Sequence, residues 1–248
     1  MNNKCLVCYQ NPKRNNYQFC SKFCTDRVAR TAPQLLPVPE DHVMYRDVKT
    51  LFVNNWDRST GHLPQIKRIY LITWSPSLRE SFDSYRENVA RTMTNKDKPK
   101  EVKRFRCEAR MCRLGDPRES TTLCRMPTCR LCKAIKTGFE TTLDYKRSLS
   151  PMQQRGVRFG RGIYMAASSS KAFQYAINGD SRSEHQAVLV TRVVLGNPQL
   201  VRKEDHKKEK LDKGYHSVEA HPENGGPTED VVFDHNAVRP AYLIIVTQ

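Results

Sequence analysis

The sequence predicts an α+β chain with a small cysteine-rich appendage at its N-terminus. Three observations carry this expectation. Ile66 to Trp74, Ala187 to Leu195 and Tyr242 to Val246 are rich in β-branched and aromatic residues and read as strands. Leu78, Phe82, Tyr85 and Val89 recur at the spacing of one helix face. Two close cysteine pairs stand within the first 30 residues.

A chain of 248 residues has room for one large domain or two smaller ones around a real core. Its formal charge of +16 points to an anionic partner, whether a nucleic acid, a dinucleotide or an acidic protein, or else to a solvated basic surface. There is no long apolar run and the N-terminus is polar, so the expectation is no membrane contact and an intracellular protein, nuclear or cytoplasmic rather than secreted. In that setting the nine cysteines read as metal ligands or free thiols rather than disulfides.

Residues 1–30 form a unit of their own. Cys5 and Cys8, then Cys20 and Cys24, are spaced so that each short pair can turn back on a single tetrahedral zinc. So few residues have too little core to fold without such a staple. The alternative is four unligated thiols in a disordered tail. Lys13, Arg14 and Lys22 would let the unit meet nucleic acid. Residues 31–62 read as a connector in which Pro33, Pro37 and Pro39 stiffen the chain, followed by a helix around Tyr45 to Trp56 that docks Val48, Leu51 and Phe52.

The main domain is expected over residues 63–248. Its first strand leads through Ser75-Pro76 into a helix with Ser77 as N-cap and Glu80 completing a capping box. Thr92 to Lys103 reads as a basic loop and Lys133 to Glu140 as a helix running into Gly138. Thr142 to Gly156 reads as a polar, lid-like loop and Lys203 to Lys213 as a solvated charged turn. His216 is expected to be structural. A second cysteine group, Cys112, Cys124, Cys129 and Cys132, is either another zinc site or four buried thiols, with Cys107 left as a single free thiol.

Arg158 to Tyr175 is the stretch around which the chain is organised. Gly160 and Gly162 precede a short strand at Ile163 to Met165, and serines lead into a helix from Lys171. Tyr164 and Tyr175 would face one another across a slot suited to a flat ring, or simply pack.

The string FGRGIYMAASSSKAFQY resembles the core motif of the poly(ADP-ribose) polymerase-like ADP-ribosyltransferases, most of all a fungal branch with extra cysteines. MCRLGD, LCRMPTCRLCKAIKTGFE, GYHSV and TEDVVFDHNAVRPAYLIIV stand in matching order, and the resemblance spans Pro64 to Val246. It implies a twisted, mainly antiparallel split sheet with flanking helices. It implies also an NAD+-dependent transfer of ADP-ribose to a protein or nucleic-acid acceptor with release of nicotinamide. Tyr164 and Tyr175 would then hold the nicotinamide, with Gly162 beside them. Glu229 would be the catalytic carboxylate, stabilising positive charge that develops on the ribose, as in glycoside cleavage. Asp230, next along a strand, would point to the opposite face.

The sequence departs from the family at several of these positions. Arg106 stands where a histidine would hold the adenosine ribose, Cys107 where a glycine would face the nicotinamide amide, and Glu108 where a threonine is expected. Ala172 replaces the serine that would hold the amide. Arg106 can still donate to ribose or phosphate oxygens. The alternatives are a catalytically degenerate domain that binds a nucleic acid or protein, and a zinc-dependent nucleic-acid-binding protein whose large domain is scaffold.

Overall fold

The computed structural model describes residues 2–15, 17–93, 99–119, 121–149, 156–223 and 225–247. Two parts of the expected loops, residues 94–98 and 150–155, lie outside these. In chain order the elements are α1 (Lys22–Ala29), β1 (Leu35–Pro37), α2 (Val43–Asn54), β2 (Gln65–Ile72), α3 (Pro76–Thr92), β3 (Lys100–Arg106), α4 (Arg130–Thr137), α5 (Glu140–Ser148), β4 (Ile163–Ala166), α6 (Ser169–Phe173), β5 (Gln186–Gly196), β6 (Pro198–Val201), β7 (Ser217–Ala220), β8 (Glu229–Val232) and β9 (Val238–Thr247).

Among the described residues the nine strands form one sheet in the order β1-β2-β9-β5-β3-β4-β8-β7-β6. Every pairing is antiparallel except that of β6 with β7. β3 and β4 share a single ladder pair, Phe105 with Ala166, whereas β3 and β5 pair along the whole of β3. The sheet is therefore nearly two sheets, hinged at Phe105, and the cavity described below opens where β3 and β4 part.

β5 and β9 are covered on both faces, which is why they read as unbroken apolar runs rather than alternating ones. Leu189, Val193, Leu243 and Ile245 pack with Phe82 of α3 and Leu131 and Ile135 of α4. Val188, Val190, Ile244 and Val246 face the other way, against Val48 and Phe52 of α2 and against Cys5, Phe19 and Val28 of the N-terminal unit. The connector adds β1 to the sheet edge, with Leu35 opposite Ile72.

His42 fastens the N-terminal unit to the rest. It is buried, its Nε2 lies 2.9 Å from the Lys4 carbonyl, and its Nδ1 accepts from Met44 N–H at the start of α2.

Three expectations are corrected. α3 is capped by Ser75, not Ser77: Pro76 takes the first helical position, where its missing N–H costs nothing, so the capping box with Glu80 does not form. The basic loop after α3 is shorter than expected, because β3 already begins at Lys100 and pairs with Gly196. The first half of the lid-like loop is helix α5, set off from α4 by Gly138 with φ +75. A Cβ at Gly138 would come within 2.8 Å of Arg239 Nη1.

Candidate active site

The turn before β4 is built by close backbone contacts. Gly160 has φ +104, and a Cβ there would lie 2.7 Å from the Lys208 carbonyl oxygen. Arg161 N–H donates to that same carbonyl, and Asp205 N–H donates to Arg158 O, so the charged turn around Lys208 braces this segment. Gly162 stands outside the cavity wall. Its missing side chain instead admits β8, since a Cβ would meet Val231 Cγ1 at 2.5 Å.

β4 and β8 then set two functional side chains side by side. Tyr164 pairs with Val231 and Ala166 with Glu229, so Tyr164 and Glu229 share a face and line one cavity of about 550 Å³. The Tyr164 hydroxyl donates to Gly160 O at 2.7 Å and accepts from Phe159 N–H at 2.8 Å, which fixes the ring. Burial raises its pKa, keeping the phenol neutral. Tyr175, beyond α6, lines the same cavity with 56 % of its surface exposed. Ala172 is buried in the wall of the same cavity.

Glu229 is half-buried, and among the described residues no group hydrogen-bonds its carboxylate. Burial raises its pKa, with Lys171, Arg158 and Lys146 pulling the other way. Asp230 points away, as strand alternation requires, and pairs with Arg104.

Arg106 and Cys107 lie in the wall where β3 ends. The Arg106 guanidinium is held by Glu108 at 2.7 Å and by the Tyr164 carbonyl, and it stacks over Phe139 at 5.5 Å. Thr142 Oγ1 also donates to Glu108, at 3.3 Å. The two departures from the family pattern thus complement each other as a buried ion pair. The Cys107 thiol is buried and burial raises its pKa, so it stays protonated.

Sequence reasoning missed much of the basic lining: Arg130, Lys146, Arg158 and Lys171 all border the cavity. Arg130 stacks over Tyr145 at 4.9 Å and Lys171 over Tyr175 at 5.4 Å. Lys146 Nζ sits 5.7 Å from the Tyr164 ring centre and donates to Gly156 O at 2.6 Å. Burial, then the charges of Arg106 and Arg130, lower the Lys146 pKa to about 8 against the pull of Glu108 and Glu229. Arg158 and Lys171 fall inside the motif already singled out, whereas nothing in the pattern marks Lys146.

Both cysteine groups come together, each with its four sulfurs within 4.8 Å of one another. Cys8–Cys20 and Cys20–Cys24 are 3.6 Å apart, and Cys112–Cys129 and Cys112–Cys132 are 3.8 Å apart. A tetrahedral zinc with bonds near 2.3 Å holds its sulfurs about 3.8 Å apart, while a disulfide needs about 2 Å. The residues fit the ion. Hydrogen bonds from the backbone at Asn11 and Gln10 lower the Cys8 pKa to about 6, and Met111 N–H donates to Cys129 Sγ at 3.4 Å. His216 is tied to Thr92 and to Asn197 N–H outside the cavity, in keeping with a structural part. No helix among the described residues is long and apolar enough to cross a membrane.

Residues 146–226 match the family model described as the poly(ADP-ribose) polymerase catalytic domain. The match spans about a third of the chain and includes Lys146, Tyr164, Lys171 and Tyr175. It stops short of Glu229 and begins after Arg106 and Cys107. No curated protein matches the chain.

Proposed function

We propose that the chain, whose residues 146–226 match the poly(ADP-ribose) polymerase catalytic domain model, is an NAD+-dependent ADP-ribosyltransferase whose donor site is the cavity between β3 and β4. The observation that carries the reading is the pairing of β4 with β8. It sets a fixed tyrosine ring and an unpartnered, half-buried carboxylate on one face of a basic cavity.

The assignments follow from charge and shape. Tyr164 and Tyr175 offer the nicotinamide flat surfaces. Arg130, Arg158 and Lys171 offer the diphosphate cations, so the dinucleotide meets net positive charge. Glu229, once ionised, accepts a hydrogen bond from a ribose hydroxyl and balances positive charge as the ribose–nicotinamide bond lengthens. That bond's electron pair leaves with nicotinamide. The acceptor, a side chain of a protein or a nucleic-acid group, loses its proton as it bonds to the ribose carbon. Arg106 contributes less than its charge suggests, because Glu108 already neutralises it. Each cysteine group, on this reading, holds one zinc.

Glu229→Gln tests the chemistry. The amide keeps the shape and loses the charge, so nicotinamide release should fall by about 10²–10³ with NAD+ affinity little changed. Unchanged release would remove Glu229 from the mechanism. A binding module without catalysis is the second reading, favoured by the Arg106–Glu108 pair that fills the wall where a histidine and a threonine are expected. Absence of nicotinamide release at saturating NAD+ would select it.

A further inference from the structure

We propose that the N-terminal unit is a stacking platform for single-stranded nucleic acid. Tyr9, Tyr17 and Phe23 leave 58 %, 66 % and 75 % of their surfaces in solvent, although a small unit has every reason to bury its few aromatic rings. Two of them are attached to the cysteine centre itself. Tyr9 follows Cys8 and Phe23 precedes Cys24, and the sulfurs of that centre lie within 4.8 Å of one another. Tyr17 sits on a turn tied by Lys13, whose Nζ reaches the carbonyls of Arg14 and Tyr17, both at 3.3 Å.

The same stretch of chain is rich in cations. Residues 1–30 contain Lys4, Lys13, Arg14, Lys22, Arg27 and Arg30 against Asp26 alone. Among the described residues none of these cations is in an ion pair, unlike Arg104, Arg106, Arg158 and Arg161 of the main domain. Phe23, Asp26 and Arg27 of α1 and its C-cap Arg30 are all exposed and follow one side at helical spacing, two cations against one carboxylate. The two negative charges of a zinc tetrathiolate leave the unit positive.

Exposed rings interleaved with unpaired cations match what an unpaired strand presents, namely bare base faces joined by phosphates. A duplex buries its base faces in the stack and offers the rings nothing. An acidic protein would satisfy the cations and leave the rings in water. The surface lies apart from the cavity and does not depend on the catalytic reading.

Fluorescence anisotropy on the full chain tests this, using labelled uridine and thymidine oligonucleotides of roughly 12 nucleotides and a duplex of the same length. Single strands should bind more tightly than the duplex at low salt, and the two single strands tell ribose from deoxyribose preference. Tyr9→Ala, Tyr17→Ala and Phe23→Ala should each weaken binding by roughly 5- to 100-fold at unchanged metal content, and Tyr17→Phe should restore it. Neutralising Lys13 and Arg27 together should reduce the salt slope by about 1.4. The proposal fails if the alanine variants bind like the wild type, if the duplex binds as tightly as the strands, if no oligonucleotide binds, or if polyglutamate competes equally well.

Discussion

At the N-terminal cysteine centre, Cys5 and Cys24 are buried among side chains of α2 and one face of the sheet, and the centre borders an exposed surface and the His42 clasp. The centre formed by Cys112, Cys124, Cys129 and Cys132 lies directly behind the cavity. Arg130, which lines the cavity, sits between Cys129 and Cys132, and Leu131 N–H donates to Ala109 O beside Glu108. The same four-cysteine arrangement therefore stands in two settings, one packed against α2 and the sheet and the other beside the cavity wall, so breaking each should have separable consequences.

The largest separation is expected from removing one ligand at each centre. Cys132→Ser should lose one zinc equivalent, lower the melting temperature by about 5 °C or more, and abolish measurable NAD+ binding. Cys5→Ser should lose a zinc equivalent as well, yet leave NAD+ affinity within about twofold, because none of residues 2–30 lines the cavity. Metal analysis and calorimetry on both variants check this. Loss of NAD+ binding in both would mean that the N-terminal unit also shapes the cavity.

Polar contacts should divide in the same way. Arg106→His takes the guanidinium from Glu108, whose side chain is only 3 % exposed and keeps only the Thr142 hydroxyl, and should cost about 3 kcal/mol in denaturant unfolding. Adding Glu108→Thr should recover most of that loss, since no buried charge then remains. On the docking side, His42→Ala removes a helix cap and the bond to Lys4, and should cost about 1–2 kcal/mol without changing NAD+ affinity.

How much of this was legible in the sequence depended on what each residue is buried against. β5 and β9 were readable because covering both faces demands unbroken apolar runs. Glu229 and Asp230 were readable as opposite-facing neighbours because strand geometry allows nothing else. α5 was not readable: only Thr142 and Leu143 of its residues are buried, so tertiary contacts rather than an apolar stripe hold it. That hid Lys146, which reaches the cavity from a segment read as loop. Arg106 and Glu108 were each visible as departures, but their pairing depends on where β3 ends and could be seen only in three dimensions.

The smallest expected effect concerns Lys146. Its pKa of about 8 leaves it charged below that pH, with its ammonium near the face of Tyr164 where a cationic nicotinamide ring would rest. NAD+ affinity should therefore rise a few-fold as pH passes upward through about 8, and Lys146→Met should bind at the higher level throughout. The acid limb of nicotinamide release should lie above the ordinary glutamate value of 4.5, because burial raises the Glu229 pKa and the carboxylate must be ionised to act.

The most direct measurement is titration calorimetry of NAD+ into the zinc-loaded wild-type chain, beside a variant in which the cavity is blocked by Ala172→Trp. Ala172 is buried in the wall of the cavity that both tyrosines line, so a large ring there intrudes on the space assigned to nicotinamide. Saturable binding of one NAD+ per chain is expected for the wild type and none for the blocked variant. No heat from the wild type, or equal binding by both, would contradict the assignment of this cavity to the dinucleotide.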